Sequence, residues 1–192
     1  MSEKVLRLKD IEVPFKFKMN KRTSMVVYAV DLITEWKTRN YTVDFDVYLP
    51  KYGVNLQRDF VWTEQQKSDL IISILKDIPI PPLSVIVHEH CQFQVIDGKQ
   101  RLGAIMGFLK GEFPIIFNNE KYYIDDLDKD AKRRVQNYTI IADIAYEYDD
   151  DLISDDEKIQ WFLYVNYSGT PQNSEYLSQI KNLLPHNETS SI

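Results

Sequence analysis

A single cysteine, Cys91, excludes a disulfide within the chain and suits a reducing compartment such as the cytoplasm. Histidine is almost as scarce. His88 and His90 flank Glu89 beside that cysteine, and His186 lies in a polar tail, so no second cluster stands at metal-ligand spacing. The His88–Cys91 run is therefore expected to be a hairpin turn and not a structural metal site. No apolar run approaches the roughly 18 residues of a membrane span, and the N-terminus lacks the apolar core of a signal segment. The expectation is a soluble, cytoplasmic protein. Positive charge is in deficit as well: a net charge of −6 argues against wrapping DNA over the whole surface, while leaving a local basic patch open. Walker-type lysine loops, Rossmann glycine patterns and the Cys-His or Ser-His-Asp spacings of acyl chemistry are all missing.

What is present is an ordinary globular composition, with 192 residues, 44% hydrophobic and 27% charged, enough for one domain with a real core. Residues 1–40 are expected to form an N-terminal arm and a helix, the helix from the spacing of Met25, Tyr28, Ala29, Leu32, Ile33 and Trp36 over 24–37. Strict alternation over 41–48 predicts a half-buried strand. Thr63 and Gln66 make a capping box that opens a helix through Leu70, Ile71, Ile74, Leu75 and Ile78. LSVIVH at 83–88 predicts a buried strand, and a second strand runs from Phe93 to Asp97. PIIF and KYYI around Asn118-Asn119 predict a hairpin, followed by a polar helix over 126–137 and a strand over 139–148. Ser154 and Glu157 form a second capping box, and Ser174 opens a last helix before a flexible tail at 185–192. The fold class expected is α+β, a small mixed sheet built from 41–48, 83–97, 114–124 and 139–148 and flanked by helices, with a C-terminal helical part.

The chain is organised around QFQVIDGKQRLGAIMGFLK at 92–110. A strand ends at Asp97, Gly98 turns the chain, and Lys99, Gln100 and Arg101 fall in the first turn of a helix whose buried face is Leu102, Ile105, Met106 and Leu109. Unpaired N–H groups and the positive dipole end gather at a helix start, so cations there work against the helix itself. Two readings are open: Lys99 and Arg101 are aimed at an anion, most simply phosphate, or they are solvated cations on a structural turn.

Three pieces of sequence carry a family resemblance: Gln57-Arg58 with Phe60-Val61-Trp62-Thr63 and, after a helix, Ile78-Pro79-Ile80-Pro81-Pro82; Val95-Ile96-Asp97-Gly98-Lys99-Gln100-Arg101-Leu102; and Val165-Asn166-Tyr167-Ser168-Gly169-Thr170-Pro171. Their order and spacing resemble the N-terminal domain of GmrSD-type modification-dependent restriction proteins, within the ParB/sulfiredoxin-like superfamily. Lys99 stands where that family's Asp-Gly-Gln-Gln-Arg box has glutamine; it keeps a donor, adds a charge and loses the acceptor. Relatives are often fused to a His-rich HNH-type nuclease domain, and three histidines in 192 residues are too few for one here.

The resemblance implies a ParB/sulfiredoxin-like domain over 41–184 that binds, and in some relatives hydrolyses, a nucleoside triphosphate in systems that recognise or cut DNA. Under it Gly98 lets the backbone approach phosphate, Lys99 and Arg101 neutralise it, Gln100 orients a water or bonds the phosphate, and Asp97 holds Mg²⁺ or polarises the attacking water. Arg58 is a second cation from across the sheet. Asn166 either contacts the ligand or caps a turn, the commoner use of asparagine. Expected partners are a nucleotide and either DNA or a DNA-processing protein, with no membrane and with a homo-oligomer as an option. Three functions compete: a nucleoside-triphosphate-binding module, with or without hydrolysis, of a restriction, defence or phage-encoded system; a metal-dependent DNA-nicking enzyme; and a non-catalytic interaction or inhibitor protein on the same fold.

Overall fold

The computed structural model describes residues 23–28, 42–88, 92–148, 152–167 and 174–184. Residues 89–91 of the predicted hairpin turn and the tail at 185–192 lie outside them. In chain order the elements of the first unit are β1 (Thr23–Tyr28), β2 (Thr42–Asp44), β3 (Tyr48–Leu49), β4 (Val54–Asn55), α1 (Glu64–Leu75), β5 (Leu83–His88), β6 (Gln92–Asp97), α2 (Lys99–Leu109), β7 (Ile115–Phe117), β8 (Glu120–Tyr122), α3 (Lys129–Gln136) and β9 (Thr139–Tyr146). They lie in one compact unit, Lys21–Leu152.

Five of these strands form a mixed sheet in the order β1-β9-β5-β6-β2. The β1–β9 and β5–β6 pairs are antiparallel, whereas β9–β5 and β6–β2 are parallel. Leu83 to Ile86 of β5 are buried without alternation, as a central strand covered on both faces must be. Leu70, Ile71 and Ile74 of α1 and Leu102, Ile105 and Phe108 of α2 pack on Val85, Phe93, Val95, Ala142 and Ile144 of the sheet. That core fixes the start of α2 against the ends of β5 and β6. The α+β class and the mixed sheet flanked by helices are as expected.

Local signals placed most elements correctly. The α1 capping box is present, with the Gln66 N–H donating to Thr63 Oγ1 at 3.2 Å and the Thr63 N–H to Gln66 Oε1 at 2.9 Å. Asn118 and Asn119 take φ of 52° and 64° in the tight turn between β7 and β8.

Three expectations are corrected. Residues 24–28 of the predicted N-terminal helix are strand β1, whose six residues all pair with β9; the rest of that prediction, 29–37, lies outside the described residues. A complete ladder partner outweighs helix-like apolar spacing in a stretch rich in valine and tyrosine. The single strand predicted over 41–48 is broken after β2, because Asp44 Oδ1 accepts the Asp46 N–H at 2.8 Å and turns the chain into the separate β3–β4 hairpin. The β7–β8 hairpin is likewise its own two-stranded sheet, tied to α1 by the Ile116 N–H donating to Ser68 Oγ at 2.7 Å.

The second unit contains α4 (Asp155–Tyr167) and α5 (Ser174–Lys181). The second capping box opens α4, with Ser154 N–H donating to Glu157 Oε2 at 2.8 Å. The two helices meet edge to face through Phe162 and Tyr176, their ring centres 6.2 Å apart. No helix among the described residues is long and apolar enough to cross a membrane.

Candidate functional site

Strand β6 delivers Asp97 to a turn in which Gly98 has φ of 99°, and α2 begins at Lys99. Gly98 occupies the N-cap position, no side chain caps the helix, and its first turn contains no acid. Glycine is required at this point for two reasons. The backbone is left-handed, and a Cβ would stand 2.2 Å from Leu83 Cδ2. The space a Cβ would need at Gly98 is filled by Leu83 and Arg101, so close packing on β5 accounts for a glycine here.

The next residues turn toward protein partners. Arg101 Nη2 donates to Asp97 Oδ2 at 2.6 Å, and its Nη1 donates to the carbonyl of Pro81 at 2.5 Å and to that of Pro82 at 3.3 Å. These prolines precede β5, so one guanidinium joins the entry of β5 to the exit of β6. Gln100 grips the segment before α1. Its Oε1 accepts the N–H groups of Val61 and Trp62 at 3.0 and 3.2 Å, and its Nε2 donates to the carbonyl of Asp59 at 2.9 Å. Both ends of the amide are therefore occupied by backbone. Phe60 seats on α2 where Gly103 leaves room, since a Cβ at Gly103 would lie 2.2 Å from Phe60 Cε1. The same segment is pinned to β6 by Gln57, whose Nε2 donates to the carbonyls of Val95 and Ile96 at 2.9 and 2.5 Å. Those carbonyls flank the register shift between β5 and β6, where Val95 and Asp97 find partners and Ile96 does not.

Lys99 is different. Its side chain is only 6% exposed, and its Nζ lies 3.5 Å from Oδ1 of Asp46, a residue 73% exposed. The ring of Phe60 lies 5.1 Å from the same ammonium, and Phe60 meets Phe45 edge to face. An ammonium this far from water is favourable only with close, well-directed acceptors. Among the described residues its acceptors are a single carboxylate at 3.5 Å and a ring face.

Arg58 is half-buried and engaged, in the segment that Gln100 and Gln57 hold. Asn166 belongs to the second unit, is 4% exposed, and donates its Nδ2 back to the carbonyl of Phe162 in its own helix at 2.7 Å. It stands in the last turn of α4. Of the expected site residues, the structure brings together Asp97, Gly98, Lys99, Gln100 and Arg101.

Among the described residues no three His, Cys, Asp or Glu side chains are grouped to hold a metal ion. Asp97 offers one carboxylate with its Oδ2 committed to Arg101. Mg²⁺ commonly binds through one or two carboxylates with waters and substrate phosphates. Asp97 would supply one carboxylate oxygen to a Mg²⁺ carried by a polyphosphate.

Sequence reasoning missed Asp46, Phe60, Gly103 and Gln57 as parts of this arrangement. Asp46 looks like any acid on the wet side of a strand, and Gly103 like any small residue in a helix. Gln57 and Phe60 had a signal, since both lie with Arg58 in a distinctive segment.

A family model for the GmrSD restriction endonuclease N-terminal domain matches residues 39–184, most of the chain. No curated protein and no solved structure matches it.

Proposed function

The chain belongs to the family of GmrSD restriction endonuclease N-terminal domains, and from that premise we propose that it is a nucleoside-triphosphate-binding module of a DNA restriction or defence system, on a ParB/sulfiredoxin-like scaffold. The observation that carries this reading is Lys99. A nearly buried ammonium stands in the first turn of a helix with no side-chain cap and no acid in that turn, and its one ion-pair partner among the described residues is 3.5 Å away. An uncapped helix start and a lysine cation each favour a negatively charged ligand. A triphosphate bound there would bring its own Mg²⁺, with Asp97 as the protein ligand, and the metal would supply charge neutralisation of the phosphates.

Binding is favoured over turnover by the state of Gln100. An amide with both ends bonded to Asp59, Val61 and Trp62 does not orient an attacking water. In this reading the nucleotide acts as a ligand that stabilises one arrangement of the domain, and DNA or a DNA-processing protein is the partner that senses it. The test is a thermal-shift screen of ATP, GTP, CTP and UTP with and without Mg²⁺. A ligand at a hundred times its Kd should contribute about 2.7 kcal/mol. Absence of any shift at millimolar concentration would remove the proposal.

A further inference from the structure

We infer that Asp46 is a built-in competitor at Lys99, a carboxylate that occupies the ammonium until a polyphosphate displaces it. This rests on the reading of Lys99 as an anion site.

Asp46 is held where it is by groups other than Lys99. Its backbone N–H donates to Asp44 Oδ1 at 2.8 Å, and its own Oδ1 accepts from Asn55 Nδ2 at 3.0 Å. The turn after β2 and the β3–β4 hairpin thus present this carboxylate to the helix start. Its hold on Lys99 is loose: 3.5 Å with the acid 73% exposed, against 2.6 Å for the Arg101–Asp97 pair one turn away. An ion pair with one so exposed partner contributes little to stability. It does place a negative charge at the position an incoming phosphate oxygen needs. Toward an ammonium, carboxylate and phosphate oxygens are interchangeable acceptors, so the two compete for one cation. The Phe60 ring on Lys99 leaves the Asp46 position as the acceptor to be exchanged. Asp44 and Asn55 keep Asp46 close after it is displaced, so the carboxylate returns when ligand leaves.

The experiment titrates inorganic tripolyphosphate, and each of the four triphosphates with Mg²⁺, into the full chain as wild type, Asp46→Asn, Asp46→Ala and Asp46→Glu, by calorimetry. Removing the charge should tighten binding roughly tenfold or more in both Asp46→Asn and Asp46→Ala, and Asp46→Glu should bind no tighter than wild type. The gain should shrink as salt is raised. Binding seen only in the two neutral variants supports both the inference and the anion site. If wild type binds and the neutral variants bind equally or more weakly, Asp46 is a neutral neighbour or a ligand of the bound Mg²⁺, and the inference is overturned while the anion site stands. If wild type and all three variants fail to bind, the anion site and the inference fall together. Each variant's denaturation midpoint is measured alongside, and the high exposure of Asp46 makes a folding defect an unexpected result that would itself count against a purely competitive role.

Discussion

Arg101 and Asp97 meet at 2.6 Å across the Gly98 turn, and the same guanidinium reaches the carbonyls of Pro81 and Pro82. Arg101 is therefore a clasp between the entry of β5 and the start of α2. Replacing it by alanine leaves a carboxylate and two carbonyls without this donor. Arg101→Ala should lower stability by about 1–3 kcal/mol in urea denaturation. Arg101→Lys should recover only part of this, because an ammonium lacks the planar fork that serves both partners. Unchanged stability in Arg101→Ala would mean that these contacts contribute nothing.

Gln100 fastens the segment 59–62 through three hydrogen bonds. Gln100→Ala should speed amide hydrogen exchange at Val61 and Trp62 while leaving β6 protected, since the opening is local. Gln100→Glu keeps the acceptor for the two N–H groups but sets a carboxylate against the Asp59 carbonyl, so it should loosen Asp59 most. Equal exchange at Val61 and Trp62 in Gln100→Ala and wild type would contradict the clasp.

Gly98 faces a wall as well as a conformational demand. Gly98→Ala should cost at least about 1–3 kcal/mol, from strain at φ of 99° together with the 2.2 Å approach to Leu83 Cδ2. Asparagine tolerates positive φ better than alanine does. Gly98→Asn should nevertheless be no milder, because its Cβ meets the same methyl. A well-folded Gly98→Asn would show that φ alone was the requirement.

Core and site should separate. Ile105 is 1% exposed on the face of α2 that packs into the sheet. Ile105→Ala should lower stability by roughly 2–5 kcal/mol through the cavity it leaves. Below the unfolding transition, triphosphate affinity should be the same as in wild type. A large loss of affinity in a still folded variant would tie the site to core packing.

How far the sequence was legible depended on how far apart the deciding partners lie. Thr63 with Gln66 and the Asn118-Asn119 turn were readable because their physics is contained in a few neighbouring residues. The strands at 83–88 and 92–97 were readable from composition and from the Asp97-Gly98 stop. Strand β1 was not, since what decides it is β9, far along the chain, with Tyr28 opposite Thr139. At the site, the residue types predicted a cation and donors at a helix start, and they are there. Their destinations were hidden: a guanidinium suited to phosphate is equally suited to proline carbonyls 20 residues earlier, and the amide of Gln100 is satisfied by backbone 38 to 41 residues away. Asp46 could not be singled out, because its role comes from the break after β2 that brings it against Lys99.

The central claim is that Lys99 is kept for an anion, and the most direct measurement is the triphosphate-dependent melting temperature of wild type against Lys99→Met. Methionine matches the unbranched stem and removes the charge. Without ligand, Lys99→Met should melt at or above the wild-type temperature, because a nearly buried ammonium with one distant acid is replaced by an apolar side chain. With at least one triphosphate and Mg²⁺, wild type should gain several degrees and Lys99→Met should gain none. Equal shifts in the two proteins, or marked destabilisation of ligand-free Lys99→Met, would show that Lys99 is a structural cation and contradict the claim.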